Sequence, residues 1–296
     1  MNIRILLGDI VGYLLLLCWK IFDKFNYKTQ ILSVYFHNPQ KKVFENTIGF
    51  LRRNGYQFIS IDELYSIIGS KAKLNTKIAL ITLDDAWLGN LTNVIPFIEQ
   101  HHIPITIFVA TQPLRDGVLW LNYFRDKALC TQYETTFPEL KLSNPKKLST
   151  TRRNEIWETL RNEKGYERVI MSEQNIRELS KNKYVTIGSH TVSHPVLPNC
   201  TKEELQDELS ESKRQLEEIT GCTVGSFAYP NGDYNGEIIR KCRKNGYEMA
   251  FTTEQRLLDI EKDSLYTLPR YCVPDKFGKY ESIARALGMW SKLFSL

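Results

Sequence analysis

Two short segments of the sequence carry the side chains best suited to metal binding and proton transfer. Asp84 and Asp85 directly follow the apolar run IALITL at 78–83. His190 and His194 stand in the segment SHTVSH, after a β-rich run at 184–187. Parallel α/β folds and barrels place their active sites at the carboxyl ends of their strands. The sequence therefore predicts that both pairs contribute to one site.

The spacing of the two histidines predicts a metal site. Histidines at positions i and i+4 on one helical turn present both imidazoles to a single point. Asp85 would complete a set of two histidines and one carboxylate, which leaves positions open for water and substrate. Zn²⁺ is the default for one divalent metal in this set, and Fe, Co, Ni and Mn also suit it. A strand-to-helix turn with an aspartate N-cap is the alternative reading, which leaves the second aspartate without a role.

A carboxylate next to such a site indicates hydrolysis. A divalent metal lowers the pKa of a coordinated water toward neutrality. Asp84 can then accept the proton of that water as general base while the water attacks an amide carbonyl. The metal and backbone N–H groups would stabilise the resulting oxyanion.

The surrounding sequence alternates β-rich and helical patterns, which indicates βα units around a parallel sheet or barrel. Strands are predicted at 31–36, 78–83, 105–109, 184–187, 226–229 and 248–252, and helices at 40–54, 91–101, 150–163, 202–220 and 236–245. Thr201 and Glu204 form a capping-box pattern before the helix at 202–220, and Gly221 follows it. The βα spacing is lost around 112–182, which predicts a helical insertion with a loop at 134–148. This insertion either fills space or covers the substrate.

Three segments resemble the motifs of the polysaccharide deacetylases, the NodB homology domain of carbohydrate esterase family 4. They are TLDD at 82–85, SHTVSH at 189–194 and AYPNG at 228–232, in the family's order. Residues 81–111 resemble the family's first motif, helix and following strand throughout. The resemblance extends from residue 31 to the region of residue 275 and implies a distorted (β/α) barrel with fewer than eight parallel strands.

The resemblance also implies roles for individual residues. Asp84 corresponds to the catalytic base, and Asp85, His190 and His194 to the metal ligands. The backbone N–H of Asn231, next to Pro230, would donate to the oxyanion, although Asn231 replaces the family's Tyr. The same segment can also be read as a tight turn, and the two readings are compatible.

The sequence departs from the family pattern in three further respects. Ala86 replaces a Gly, and Ala228 replaces the Arg that holds the catalytic aspartate. Arg270 is predicted to supply that charge instead, with an ordinary surface Arg as the alternative. No histidine follows His194, so the family's late general acid is absent. Family members with a rearranged motif order carry a His at the end of the first strand, and His37 is therefore the candidate acid, against a loop histidine without a role.

The composition limits the other classes of function. With 296 residues, 42% of them hydrophobic, the chain can form a single catalytic domain over 30–296. The net charge of +5 is spread along the sequence without the dense basic stripe of a nucleic-acid binder. A loose basic cluster is either a solvated loop or a contact for an anionic glycan or lipid headgroup. It contains Lys141, Lys146, Lys147, Arg152 and Arg153. Six cysteines without a CxxC pair suggest reduced thiols in a cytoplasmic protein.

Residues 1–29 form an apolar N-terminal segment. Its run of ten apolar residues at 10–19 is shorter than the roughly 20 needed to cross a bilayer. The stretch 3–22 reaches that length only by including Arg4, Asp9 and Lys20. It is predicted either to contact a membrane, peripherally or as an uncleaved anchor, or to pack on the domain. Lys20, Lys24 and Lys28 favour a cytoplasmic catalytic domain if it spans. No cleavage site follows, which argues against a removed signal peptide.

Three functions remain open at this point. The first is removal of an N-acetyl group from an amino sugar of a polysaccharide, a lipopolysaccharide intermediate or a lipid-linked glycan. The second is hydrolysis of another non-peptide C–N amide bond. The third is a catalytically impaired, metal-containing domain that binds glycans, which the missing Arg and late His support. Asp84 argues against the third function, because binding alone needs no second carboxylate beside the metal.

Overall fold

A computed structural model describes residues 3–22, 28–70, 73–141 and 145–294. Lys24 and part of the predicted loop at 134–148 lie outside these ranges. The strands of the described residues are β1 Gln30–Phe36, β2 Tyr56–Ile59, β3 Lys77–Asp84, β4 Ile105–Val109, β5 Val185–Ser189, β6 Ser226–Ala228, β7 Met249–Phe251, β8 Leu258–Asp259 and β9 Tyr271–Cys272. The helices are α1 Ile3–Phe22, α2 Lys41–Arg53, α3 Ile61–Ser70, α4 Asn90–Asn93, α5 Ile95–His101, α6 Thr111–Asp116, α7 Trp120–Arg125, α8 Lys127–Tyr133, α9 Thr150–Glu163, α10 Glu173–Leu179, α11 Lys202–Thr220, α12 Gly236–Lys244, α13 Lys279–Ala286 and α14 Met289–Phe294.

One sheet runs through the domain in the order β7-β6-β5-β4-β3-β1-β8. All neighbours along this path are parallel except β8, which lies antiparallel to the first residues of β1. β2 pairs in parallel with the first half of β3, and β9 pairs in parallel with the second half of β1. The path is therefore seven strands wide, and the predicted distorted barrel with helices around it is confirmed.

The segment before β9 connects β7 with β1. Leu268 bridges β7 at Phe251, and Tyr271 then pairs with Val34 in β1. The chain between Leu268 and Tyr271 consequently passes between β7 and β1, at the carboxyl ends of both strands. Arg270 lies in this short stretch and is carried into the interior by it.

Strand register brings the candidate residues to one level. Phe36 pairs with Leu83, so His37 and Asp84 follow at matching positions of β1 and β3. Val109 pairs with Ser189, and Ser189 pairs with Phe227, so His190 and Ala228 follow at the next level. The strands are buried on both faces, which explains their continuous apolar runs.

Most of the predicted elements are present, with one clear exception. The α11 helix carries the predicted capping box between Thr201 and Glu204 and ends at Gly221 in the left-handed conformation. The single helix predicted at 91–101 is wrong, because the chain forms α4 and α5 with a break at Val94. Pro96 explains the break: it lacks an N–H, and its ring clashes with the carbonyl four residues earlier.

Within the apolar N-terminal segment, residues 3–22 form α1, which packs along α13. Added Cβ atoms at Gly8 and Gly12 would lie 2.0 and 2.4 Å from atoms of Glu281, so the two helices approach closely there. Trp19, at the other end of α1, is buried and packs on Phe50. Among the described residues, no helix combines the length and apolar character required to traverse a bilayer.

Candidate active site

The candidate residues line a cavity of about 420 Å³ at the carboxyl ends of the strands. β1, β3, the loop after β5 and the turn after β6 each supply lining residues. The predicted residues that line it are His37, Asp84, Asp85, His190, His194 and Asn231. Asp84, Asp85, His190 and His194 are buried, while His37 and Asn231 are partly exposed.

The three predicted metal ligands converge on one point. One ligand atom from each of Asp85, His190 and His194 lies within 4.8 Å of the others. Asp85 Oδ1 lies 3.7 Å from His190 Nε2 and 3.4 Å from His194 Nε2. Asp84 is not part of this group.

The hydrogen bonds around these atoms fit a divalent cation. His190 Nδ1 lies 2.7 Å from the carbonyl oxygen of Ala228, which can only accept, so Nδ1 donates and a neutral ring presents its Nε2 lone pair. That lone pair faces Asp85 Oδ1, which is buried and receives no hydrogen bond from the described residues. Two electron-rich atoms in this position repel each other unless a cation lies between them. Burial also lowers the pKa of His194 to about 4, which keeps its ring neutral.

The helical turn predicted for SHTVSH is wrong, because residues 190–196 form an irregular loop. Thr191 and His194 have φ values of 75° and 55°, outside the helical region. Pro195 also disfavours a helical conformation for His194. The loop is closed by a hydrogen bond from His194 N–H to Thr191 Oγ1 of 3.0 Å. The imidazoles therefore meet through a strained loop.

Left-handed backbone is concentrated at this site. Of the six non-glycine residues with positive φ in the described ranges, five are Asp85, Ala86, Thr191, His194 and Asn231. Such conformations are unfavourable for L-residues and persist where the surrounding structure imposes them, often at functional sites. Ala86, at φ 53°, occupies the position where the related family has Gly, the residue with the least penalty there.

Glu208 is a site residue that the sequence interpretation missed. Its carboxylate in α11 accepts hydrogen bonds from the N–H groups of Val192 and Ser193, at 2.8 and 2.9 Å, and from Ser193 Oγ. It thereby holds the loop that carries both histidines. Burial raises its pKa, although these hydrogen bonds oppose the rise. Its position on the buried face of a helix, with Leu205 and Ser212, is a signal that could have identified it.

Arg270 binds Asp84 through two hydrogen bonds. Nη1 donates to Oδ1 at 2.8 Å and Nη2 to Oδ2 at 2.9 Å. The guanidinium is fully buried and also donates to Thr82 Oγ1 and to the carbonyl of Thr252. Burial pushes the pKa of Asp84 up, but the positive charge and hydrogen bonds of Arg270, together with His190 and His37, outweigh burial, and the pKa stays below its ordinary value. Each carboxylate oxygen retains a lone pair for a further donor.

His37 follows β1 and Asn231 follows β6, so in the strand order they flank β3 and β5, which precede the candidate metal ligands. The His37 ring contacts Tyr35 edge-on, with centroids 5.5 Å apart. Asn231 is in the middle of a single 3-10 turn, Pro230–Gly232, with φ 59°. The tight-turn reading of this segment is thus correct as far as the backbone goes. Lys146 Nζ donates to Asn231 Oδ1, while no described group accepts a hydrogen bond from the Asn231 N–H.

The helical insertion covers one side of the cavity. It contributes Leu119, Leu121, Arg125 and Lys146 to the lining. The residues of the loose basic cluster have different surroundings in the fold. Lys146 lines the cavity, and Arg152 pairs with Glu139 at 2.8 Å. Arg153 is buried against the histidine loop, where it donates to Ser193 Oγ. Burial lowers the pKa of Lys146. The sequence carried no signal that separates Lys146 from its neighbours.

Comparison with known proteins adds a family match. The sequence profile of the polysaccharide deacetylases matches residues 71–250, more than half of the chain. The chain is 23% identical to the protein YxkH of Bacillus subtilis over 214 residues, and 20% identical to the poly-β-1,6-N-acetyl-D-glucosamine N-deacetylase of Staphylococcus epidermidis over 230 residues. These alignments cover 72% and 78% of this chain, and 58% and 66% of the relatives. The chain therefore spans less than two thirds of the length of both curated relatives.

A solved structure has the same fold. The Streptococcus pyogenes deacetylase PplD, determined in complex with acetate, superimposes with a TM-score of 0.63 at 15% sequence identity. The match covers 88% of this chain and 99% of that one. At 15% sequence identity, this similarity shows that the two proteins share a fold.

Proposed function

The chain belongs to the polysaccharide deacetylase family, and on that premise we propose that it is a metal-dependent hydrolase that removes an N-acetyl group from an amino sugar. The amino sugar would belong to a polysaccharide, a lipopolysaccharide intermediate or a lipid-linked glycan. The observation that carries the proposal is the convergence of Asp85, His190 and His194 beside Asp84 in one cavity. The relative from Staphylococcus epidermidis, an N-deacetylase of poly-β-1,6-N-acetyl-D-glucosamine, supports this substrate class.

Asp85, His190 and His194 would hold one divalent metal, with Zn²⁺ as the default. When bound, such a metal acidifies a coordinated water and polarises the amide carbonyl. The protein contributes three ligands of its own, and this number leaves positions for water and substrate. Glu208 keeps the histidine loop in place through three hydrogen bonds.

Asp84 is the residue best suited to act as general base. It is adjacent to Asp85 in the chain, lines the cavity, and lies outside the ligand group. Arg270 keeps its carboxylate ionised and fixes its orientation. An ionised, oriented carboxylate can accept a proton from the attacking water. The Asn231 N–H, which makes no hydrogen bond with the described residues, would donate to the oxyanion that forms on the amide carbonyl.

His37 would donate the proton that the departing amine needs, and a pair of substrates tests this role. An amine leaves poorly without a proton, whereas a phenolate leaves readily without one. We expect His37→Asn to lower acetate release from an N-acetylglucosamine oligomer by roughly 10²-fold while it leaves hydrolysis of an aryl acetate within a few-fold. The measurement is kcat for both substrates in the same preparation. Equal losses on the two substrates would assign His37 another role.

Metal removal tests the function as a whole. We expect acetate release from N-acetylglucosamine oligomers or lipid-linked amino sugars to fall to background after chelation, and to return when Zn²⁺, Co²⁺ or Mn²⁺ is added. Metal content and acetate are measured in the same samples. Release of another acid from a different amide would favour the second candidate function. Metal and glycan binding without turnover on any amide would contradict the proposal.

A further inference from the structure

The outer face of α1 is an exposed apolar stripe. Eight large hydrophobic side chains are exposed in the described residues, and seven of them lie on this one helix. These seven, which we call the α1 stripe, are Ile3, Leu6, Leu7, Ile10, Tyr13, Leu14 and Leu17. Their spacing of three and four residues places them on a single helical face. A contiguous exposed stripe of this kind marks an interaction surface.

The opposite face of α1 packs against the domain. The stripe is therefore exposed on a helix that is docked on the domain. Asp9 Oδ1 accepts hydrogen bonds from the N–H groups of Tyr280 and Glu281, at 2.5 and 3.1 Å, in the first turn of α13. Gly8 and Gly12 allow close contact with the same helix. Trp19 is buried on Phe50 at the far end. The single acidic residue of α1 is thus used inside the protein.

The charges around the stripe are positive. Arg4 is exposed at its beginning, and Lys276 and Lys279 are exposed on the neighbouring segment. The Tyr280 ring joins the two parts: it contacts Tyr13 of the stripe and lies under the Lys279 ammonium. The only acid on α13, Glu281, is buried and paired with Arg285 at 2.7 Å. An apolar face with aromatic and cationic flanks matches the boundary between acyl chains and anionic headgroups.

We propose that the α1 stripe is a membrane-binding surface that lies in the plane of an anionic lipid bilayer. A helix of 20 residues is roughly 30 Å long, and here it would be half embedded in the interface without crossing it. A second copy of the chain fits less well, because a two-fold dimer would set the same cationic flanks against each other. This proposal goes beyond the proposed enzymatic function and does not depend on it.

The same geometry places the cavity next to the membrane surface. α1 begins beside residues 277–281, which follow the cavity-lining Asp275, and it ends near Lys77 at the start of β3. The helix therefore runs from the cavity end of the barrel to the opposite end. With the stripe on the bilayer, the barrel axis would lie along the surface and the cavity would open close to it.

Vesicle flotation tests the proposal on the full chain. We expect binding to vesicles of phosphatidylcholine with phosphatidylglycerol, and weaker binding to phosphatidylcholine alone or at high salt. A Leu7→Glu, Leu14→Glu double variant should lose roughly 100-fold in vesicle partitioning, because two exposed leucines no longer enter the lipid. Tyr65→Glu makes the same kind of change at the eighth exposed hydrophobic, on α3, and should bind like the wild type.

Two exposed cysteines provide an independent readout. Cys18 follows the last residue of the stripe, whereas Cys222 lies beyond the end of α11, and the other four thiols are buried or half-buried. A polarity-sensitive fluorophore on Cys18 of a Cys222→Ser variant should shift to the blue when anionic vesicles are added. The same label on Cys222 of a Cys18→Ser variant should not respond.

Several results would overturn the proposal. They are the absence of wild-type flotation, equal flotation of the double leucine variant, or a Cys222 label that shifts as much as the Cys18 label. A wild-type dimer that becomes monomeric in the double leucine variant without vesicle binding would assign the stripe to a second copy. Unchanged thermal unfolding of the variants shows that any loss of binding is not a loss of folding.

Discussion

Replacement of Asp84 by Asn is expected to lower acetate release by roughly 10²–10⁴-fold, the range for a removed general base. Asn has nearly the shape of Asp but cannot accept a proton from water. Asp84 lies outside the ligand group of Asp85, His190 and His194. The variant should therefore retain its metal, and the loss should appear in kcat for both amide and aryl ester substrates. This distinguishes Asp84 from His37, whose replacement should affect the amide alone.

The measurement combines steady-state kinetics with metal analysis of the same protein. Asp207→Asn, on the exposed face of α11, makes the identical chemical change and serves as the control. Activity within tenfold of the wild type in a metal-loaded Asp84→Asn variant would exclude Asp84 as the base. Loss of the metal together with activity would show that Asp84 acts through the metal site instead.

Replacement of Arg270 by Gln is expected to reduce the free energy of unfolding by about 3–5 kcal/mol, the range for a buried ion pair that loses one partner. Asp84 would then remain buried without its counter-charge. Burial favours the protonated form of Asp84, and without Arg270 the largest charge that opposes burial is lost, so the pKa of the carboxyl group would rise. The variant should therefore also lose activity, since a protonated carboxyl group cannot serve as a base.

Urea unfolding of the metal-free protein measures the stability of the variants. Arg152→Gln is a matched control, because Arg152 and Glu139 form a partly exposed pair with side-chain exposures of 32% and 28%. Its cost should be much smaller than that of Arg270→Gln, because solvent screens an ion pair at the surface. The Asp84→Asn, Arg270→Gln double variant removes both charges and should recover part of the lost stability, which gives the coupling energy. An Arg270→Gln cost no larger than that of Arg152→Gln would contradict the assignment.

The irregular backbone around the cavity is consistent with a site whose geometry is imposed by its surroundings. Glu208 and Arg153 both form hydrogen bonds with Ser193 in the histidine loop, and Trp120 donates to the carbonyl of His194 at 2.9 Å. Two of these three residues come from the insertion. The insertion thus contacts the histidine loop and also lines the cavity.

Features that depend on neighbouring residues could be predicted from the sequence. Apolar runs and helical periodicity located the main strands and helices, and the Thr201–Glu204 pattern and Gly221 bounded α11. The residue types of the candidate ligands were visible because each pair follows a recognisable strand. Parallel strands bring their carboxyl ends to the same edge, so the convergence of Asp85, His190 and His194 could be anticipated.

Features that depend on residues far apart in the chain required the folded structure. The family resemblance made Arg270 a candidate partner of Asp84, but it reaches Asp84 because the segment before β9 is inserted between β7 and β1. A two-residue strand has too little pattern to predict this insertion. The left-handed loop at 191–194 depends on Glu208, and the position of Lys146 depends on how the insertion folds over the cavity. Such contacts are set by strand register and packing, and local sequence patterns do not encode them.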